Sequence, residues 1–424
     1  MEYIDYNCGP YNLHLIKTDR FKTVHMEVIF RSNVTKEKAQ KRTILCDLLT
    51  DCSKKYPTKK DIVIKSEELY KTVAYGSTSK TGNILSTIFV SEFLAPKYIT
   101  DKKYYENVLD FIFGLITKPN VTNKEFDLKM FNMAKEKLKI DIESVSENPV
   151  KLGIRNIFKK ACPNNATSIF CLGELDTLED INPSNLYLEY EEMLKNDICD
   201  IFIIGDIPTY ETEKLIKSRF NLRTIKNHSL DMYIDNKYRF RPLKASDKSN
   251  FVQSSLDLLF NTSNLERYEK NIVFSIYNYI LGSGGMTSKL YQNVRENNSL
   301  CYSIGSMYLK YDRLLLIQVS LDNCNVRKAI KLIKKCVKDM ASGKFSEEEI
   351  EDAKKNIINS IEMSLDNNVS ILNNYVFQIF DDATTFEERK KLIKSVSKQD
   401  VIKVAKKVKL NTIYCLKGVA DGKD

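Results

Sequence analysis

The sequence predicts an α+β fold in two similar halves, each an antiparallel sheet covered by helices on one face. Three observations carry that reading. Strand-like runs come early and helical patterns come late in each half. Paired segments recur at separations of roughly 210 to 230 residues, close to half the chain, which marks an internal duplication. The 424-residue length also exceeds what one hydrophobic core normally serves.

Residues 11–31 give two strands around Asp19-Arg20, the second (TVHMEVIFR) with near-alternating apolar positions. Residues 36–49 read as a helix, 59–70 as helix-leaning, and 78–93 as a strand pair around Thr81-Gly82-Asn83. A helix over 104–116 is closed by Pro119. Thr122-x-x-Glu125 has the form of a capping box, followed at helical spacing by Phe126, Met130, Met133, Ala134 and Leu138. Ser346-x-x-Glu349 repeats that form, with Ile350, Ala353, Ile357 and Ile361 behind it. These two helices end in polar stretches, 144–148 and 366–368. Two further pairs support the duplication: KTVHMEVIF (22–30) with VQSSLDLLF (252–260), and 184–205 with 397–418. Residues 226–250 are polar, contain Pro242 and lack a period, so they read as a linker. The expected domains are therefore 1–225 and 251–424.

The most informative stretch is 281–308, LGSGGMTSKLYQNVRENNSLCYSIGSMY. Tyr268, Ile272, Ile276 and Ile280 form a helical stripe that stops at Gly282, Gly284 and Gly285, where glycine permits positive φ. Thr287 or Ser288 then caps a short helix carrying Leu290 and Val294, which ends at Arg295-Glu296. A polar turn follows, and a strand from Leu300 places Leu300, Tyr302 and Ile304 on one face. Arg295 and Tyr302 then point toward the same space. A guanidinium fork beside a phenol suits a carbonyl or carboxylate; a surface Arg beside a half-buried Tyr is the alternative.

This motif resembles the C-terminal-domain signature of the pitrilysin/insulinase superfamily of zinc peptidases, and weaker resemblance runs along nearly the whole chain. The resemblance implies two similar α+β domains arranged as a clam shell. It implies that Arg295 and Tyr302 bind the substrate backbone and help polarise the scissile carbonyl, with Gly284 and Gly285 in a substrate-facing loop. Active members carry H-x-x-E-H on an early helix, two His on zinc and a Glu activating water. Here the only histidines are His14, His25 and His228, none with another four residues away. Judged from Lys54-Lys55-Tyr56-Pro57, which resembles the sequence after that motif, Thr43 and Asp47 take the His positions and Cys46 the base position. Asp141 is the candidate for the third-ligand position. Thr, Cys and two Asp at these spacings make a degenerate zinc motif, and no metal is expected in this chain. His14 and His25 sit in strand patterns as structural residues, and His228 falls in the linker.

Heterodimeric members divide the labour, one subunit holding zinc and its homologue the Arg/Tyr pair. The resemblance therefore implies a zinc-free subunit whose partner is a homologous H-x-x-E-H chain with zinc and the general base, acting on peptides. The start of the chain is also similar to a bacterial subgroup of such zinc-free homologues, associated with elongation factor P modification. A non-enzymatic scaffold or peptide-binding protein is the alternative, and a homodimer in isolation is compatible with either. Composition excludes other classes. The 65 basic and 56 acidic residues are spread along the chain with no basic-aromatic stripe, which speaks against nucleic acid. No run of about 18 apolar residues suggests a membrane span. The first residues lack a signal-peptide pattern, so a cytoplasmic location is expected. Ten cysteines without a C-x-x-C pair read as reduced thiols.

Overall fold

The computed structural model describes residues 1–222, 230–381 and 383–419. These form two compact units, each built on one sheet. The first sheet contains β1 (Glu2–Asn7), β2 (Asn12–Lys17), β3 (Thr23–Asn33), β4 (Val73–Thr81) and β5 (Ile84–Leu94). A small hairpin, β6 (Val121–Thr122) and β7 (Glu125–Phe126), stands apart, and β8 (Ile198–Gly205) completes the sheet in the order β1-β2-β8-β3-β5-β4. The second sheet uses β9 (Leu243–Lys248), β10 (Ser254–Asn261), β11 (Ser303–Leu309), β12 (Leu314–Leu321) and β13 (Lys409–Lys417), in the order β11-β12-β10-β13-β9.

Read in reverse, the second order repeats the first, with β9, β13, β10, β12 and β11 in the places of β2, β8, β3, β5 and β4. Strand directions agree as well. β2 and β9 pair in parallel with β8 and β13, and the three remaining pairings are antiparallel in both sheets. The duplication read from paired segments is thus a duplication of topology. The sheets are mixed rather than purely antiparallel, because the strand that closes each repeat enters the middle of its sheet instead of hairpinning onto the previous one. β9 also falls inside the stretch expected to be linker. Its alternation of half-buried and exposed residues (Leu243, Ala245 and Asp247 against Lys244, Ser246 and Lys248) is that of an edge strand.

Period-two alternation assigns the faces. Val24, Met26, Val28 and Phe30 of β3 point into one apolar core, with α1 (Lys36–Asp51) and the helix Tyr104–Thr117 packed there. Leu256, Leu258 and Phe260 of β10 do the same in the second unit. One-sided cover was the expectation, yet each sheet also bears a helix on its other face. α2 (Leu128–Ser146) is followed by α3 (Pro149–Ala161), which packs on β10 and β13 of the second unit. α4 (Glu347–Ser364) is followed by α5 (Asn368–Asp381), which packs on β8 of the first. Each half of the sequence lends the other one helix, and the chain leaves its own unit at the polar stretches noted after α2 and α4. The compact units are therefore not the contiguous segments 1–225 and 251–424.

Local chemistry explains two helix starts. Ser346 accepts from the Glu349 amide and Glu349 Oε2 accepts from the Ser346 amide, the expected capping box of α4. The matching signature at Thr122 is not a cap. Asn123 and Lys124 both take positive φ, 53° and 64°, and turn β6 into β7; Asp127 Oδ1 then accepts from the Met130 amide at the start of α2.

Candidate functional site

The glycine-rich motif belongs to the second unit. The helix before it is apolar on one side as expected, with Ile272, Ile276 and Ile280 buried. Its turns widen into π-helix at Glu269–Val273 and Tyr279–Ser283, and again at Tyr291–Glu296, a backbone form that often marks functional segments. Two glycines are needed for distinct reasons. A Cβ on Gly282 would lie 2.5 Å from Ser306 Oγ and 2.7 Å from Leu290 Cδ1, so helix and strand β11 meet there without room for a side chain. Gly285 has φ of 64° with open space around it, the left-handed position that ends the helix. Gly284 sits against Tyr279, whose carbonyl accepts its amide at 3.0 Å. Ser288 closes the turn by donating to the Gly285 carbonyl at 2.7 Å, and the helix starts at the next residue.

Arg295 is exposed on that short helix, with its guanidinium carbon 4.8 Å from the centre of the Tyr291 ring. The turn after it is pinned by two amides: Ser299, at φ 48°, donates to the Arg295 carbonyl, and Leu300 donates to the Val294 carbonyl. The expected strand from Leu300 begins instead at Ser303. Leu300, Tyr302 and Ile304 do not share a face: Leu300 is 5% exposed and Tyr302 54%. Leu300 still belongs to the turn and drops into the core, while the Tyr302 amide joins Ser320 at 2.8 Å and its ring stays outside. The Tyr302 hydroxyl donates to Asp322 Oδ1 at 3.1 Å. Arg295 and Tyr302 are thus both solvent-accessible cation and phenol groups, held seven residues apart by a hydrogen-bonded turn. Asp322, which orients the phenol, carries no sequence signal beyond its place at the end of β12.

Thr43, Cys46 and Asp47, the residues expected at the zinc-motif positions, lie on α1 in the first unit. Arg42, fully buried, donates to Glu189 at 2.7 Å and to Asp197 at 2.6 Å, and so sets the rotation of the helix. Asp197 is nonetheless pushed above its ordinary range, because burial outweighs the Arg42 charge. Thr43 Oγ1 lies within 3.0 Å of the Ala39 and Cys171 carbonyls and the Thr78 hydroxyl. Cys46 is buried beneath Gly76, where an added Cβ would come within 2.7 Å, and burial pushes its thiol well up. Asp47 Oδ1 accepts from Lys137 Nζ of α2 at 2.6 Å. Desolvation works against the Lys137 charge, but the Asp47 hydrogen bond together with the Asp47, Asp51 and Asp141 charges outweighs it and holds the ammonium above its ordinary range.

These residues do not fit zinc. The hydroxyl is committed to backbone and Thr78, the thiol is buried and protonated, and the carboxylate is neutralised by an ammonium. Among the described residues no three His, Cys, Asp or Glu side chains converge as a metal would need. Nothing in the sequence points to Lys137 beyond its place four residues before Asp141. The remaining histidines are structural where described. His14 reaches Asp200 and the Tyr3 hydroxyl, His25 reaches Glu27 at 3.0 Å, and His228 lies outside the described residues. All ten cysteines are free thiols. No helix among the described residues is long and apolar enough to cross a membrane.

The chain is similar to known proteins in sequence and in fold. Residues 180–357 match the Peptidase M16 inactive domain. A curated protein of Bacillus subtilis (strain 168), the probable inactive metalloprotease YmfF, is 26% identical over 418 residues, covering 97% of this chain and 96% of that one. The crystal structure of a conserved protein from Enterococcus faecalis V583 superposes with a TM-score of 0.94 at 25% identity, covering all of both chains. That of a peptidase M16 inactive domain from Pseudomonas fluorescens shares the fold at TM-score 0.79 and 14% identity, covering 100% and 99%. The chain is thus similar to the inactive domain of the M16, or pitrilysin/insulinase, peptidases and to an inactive metalloprotease along nearly its whole length, and its sequence contains no H-x-x-E-H motif.

Proposed function

We propose that this chain is the zinc-free subunit of a heterodimeric M16-type metallopeptidase, with Arg295 and Tyr302 holding the peptide backbone in a site completed by a homologous H-x-x-E-H subunit. That partner would supply the zinc and the general base. One observation carries the reading. The positions that would hold zinc are internally satisfied, whereas Arg295 and Tyr302 remain exposed on a turn, the guanidinium over the Tyr291 ring and the phenol on Asp322. Exposed Arg and Tyr supply donors to a substrate carbonyl, and donors aimed at the developing oxyanion are among the largest contributions to amide hydrolysis. Asp322, as acceptor of the Tyr302 hydroxyl, would fix the phenol's direction until substrate takes its place. Within this reading the protein is bacterial and cytoplasmic, as the similarity to the subgroup described above suggests.

The test is cleavage of an unstructured peptide by this chain, by an H-x-x-E-H homologue from the same source, and by the mixture. Activity confined to the mixture and abolished by chelator supports the assignment. Arg295→Ala and Tyr302→Phe should then each lower the rate by roughly ten- to a thousandfold with assembly intact. Full activity from the homologue alone, or unchanged rates in both variants, would overturn it.

A further inference from the structure

In the second unit the helix Val326–Ala341 packs beside the helix Lys398–Lys407. Ala329, Ile333, Cys336 and Met340 form its buried stripe. Arg327, Lys328, Lys331, Lys334, Lys335 and Lys338 are all exposed. Its one acidic residue, Asp339, is engaged by Lys344 at 3.1 Å. Several of these cations stand four residues apart, Arg327/Lys331, Lys331/Lys335 and Lys334/Lys338, a spacing at which like charges repel and destabilise the helix. Between the two helices runs a groove of about 300 Å³, rimmed by Lys334, Lys338, Lys406 and Lys409 and floored by Phe260, Val337, Ala405 and Leu410. None of the four rim ammonium groups forms an ion pair with a described residue, whereas Lys403 and Lys407 of the same helix are bound to Glu269 at 3.2 and 2.6 Å. On the helix Lys398–Lys407, Lys406 thus faces the groove without an ion pair while its neighbours Lys403 and Lys407 serve Glu269.

We propose that this groove docks an acidic peptide segment, with Asp or Glu side chains on the lysine rim and one or two apolar side chains on the floor. The surface is uniformly basic and concave, so charge complementarity calls for an anionic chain narrow enough to enter it. Its chemistry fits the other polyanions less well. No exposed aromatic side chain lines it for base stacking, Phe260 being buried. The exposed residues of Val326–Ala341 include no large apolar side chain to enter a lipid surface. The site is separate from Arg295 and Tyr302 and does not depend on their role.

Fluorescence anisotropy with a short labelled peptide of Glu, Asp and two Leu, against its Gln/Asn counterpart, tests the proposal on the intact chain. The acidic peptide should bind at least about tenfold more tightly, and binding should fall as salt is raised from roughly 50 to 500 mM. The variant K334E/K338E/K406E should lose at least about tenfold in affinity at an unchanged Tm, since exposed sites carry little stability. K54E/K55E/K60E, with the same change in net charge elsewhere, should bind like the parent. Equal binding of both peptides, or an equal loss in both variants, would overturn the proposal. So would tighter binding of an RNA oligonucleotide or of phosphatidylglycerol vesicles that is lost in the groove variant.

Discussion

The two sheets share topology and the lent helix, yet they solve the burial of charge beneath that helix in opposite ways. In the first unit Asp200 of β8 is fully buried but accepts from Asn12 at 2.9 Å and from Arg31 at 2.7 Å, with His14 Nε2 at 3.4 Å. Burial alone would raise its carboxyl; the His14 contact, the Arg31 charge and the Asn12 amide reverse that and hold it below the ordinary carboxylate range. Arg31 is itself covered by Phe380 of α5, 3.4 Å from its guanidinium carbon to the ring centre. In the second unit the corresponding layer holds Asp257 of β10, which follows Glu27 in the aligned repeat as Ser255 follows His25. Asp257 has Ser255 Oγ at 3.1 Å for one oxygen, and the other has no hydrogen-bond partner among the described residues. Burial pushes its carboxyl up to about 7. A duplicated backbone therefore leaves the electrostatics of each copy free, because a strand face specifies where a side chain points and not whether its charge is met.

The largest expected effect comes from breaking the satisfied side. Arg31→Met keeps an apolar stem against Phe380 but strands the Asp200 charge, and should cost about 3–5 kcal/mol in urea unfolding at pH 7. A carboxyl held below its ordinary range adds stability above the unfolded pKa and loses it as pH falls through the folded one. The penalty should therefore shrink once pH drops below roughly 4. A cost that stays constant with pH would assign Arg31 to packing alone. Next is the seat of α3. A Cβ on Gly153 would lie 2.6 Å from both Asp257 Oδ2 and Ser255 Oγ, short side chains on a central strand with little room to yield. Gly153→Val should cost about 1–3 kcal/mol, and hydrogen exchange should show α3 losing protection first.

The smallest effect has the opposite sign. Asp257 has its folded carboxyl raised to about 7, so the folded state holds a proton that the unfolded state gives up from roughly pH 4. Its contribution is full below the unfolded pKa and declines as pH rises toward about 7. Asp257→Asn should flatten that decline and stabilise the protein at pH 8 by about 1–2 kcal/mol. If the variant is less stable at pH 8, the carboxylate has a partner that the comparison lacks.

Asp47 shows a third treatment of charge. Lys137 of α2 places an ammonium on Asp47 of α1, an ion pair between two helices. Thr43, Cys46 and Asp47 follow from the register of Lys54-Lys55-Tyr56-Pro57, but which cation meets Asp47 depends on a residue 90 positions away.

Local and periodic features were legible in the chain itself: the strands of 11–31, the helix over 36–49, the capping box at Ser346, the glycine stop at 282–285 and the duplication. Each rests on spacing or backbone chemistry within a few residues. The Thr122 signature misled because the same residue types also make a hairpin turn, and only two positive φ angles and the cross-strand pairing separate the outcomes. The edge strand β9 was missed because its partner, β13, lies more than 160 residues ahead. The sequence by itself determined that there are two α+β repeats, that no H-x-x-E-H motif is present and that an Arg/Tyr turn follows the glycines. Tertiary structure decided which sheet each of α3 and α5 covers, which buried carboxyl finds a cation, and that Leu300 turns inward while Tyr302 stays out. Those outcomes are set by long-range packing and desolvation, and neither leaves a period in the chain.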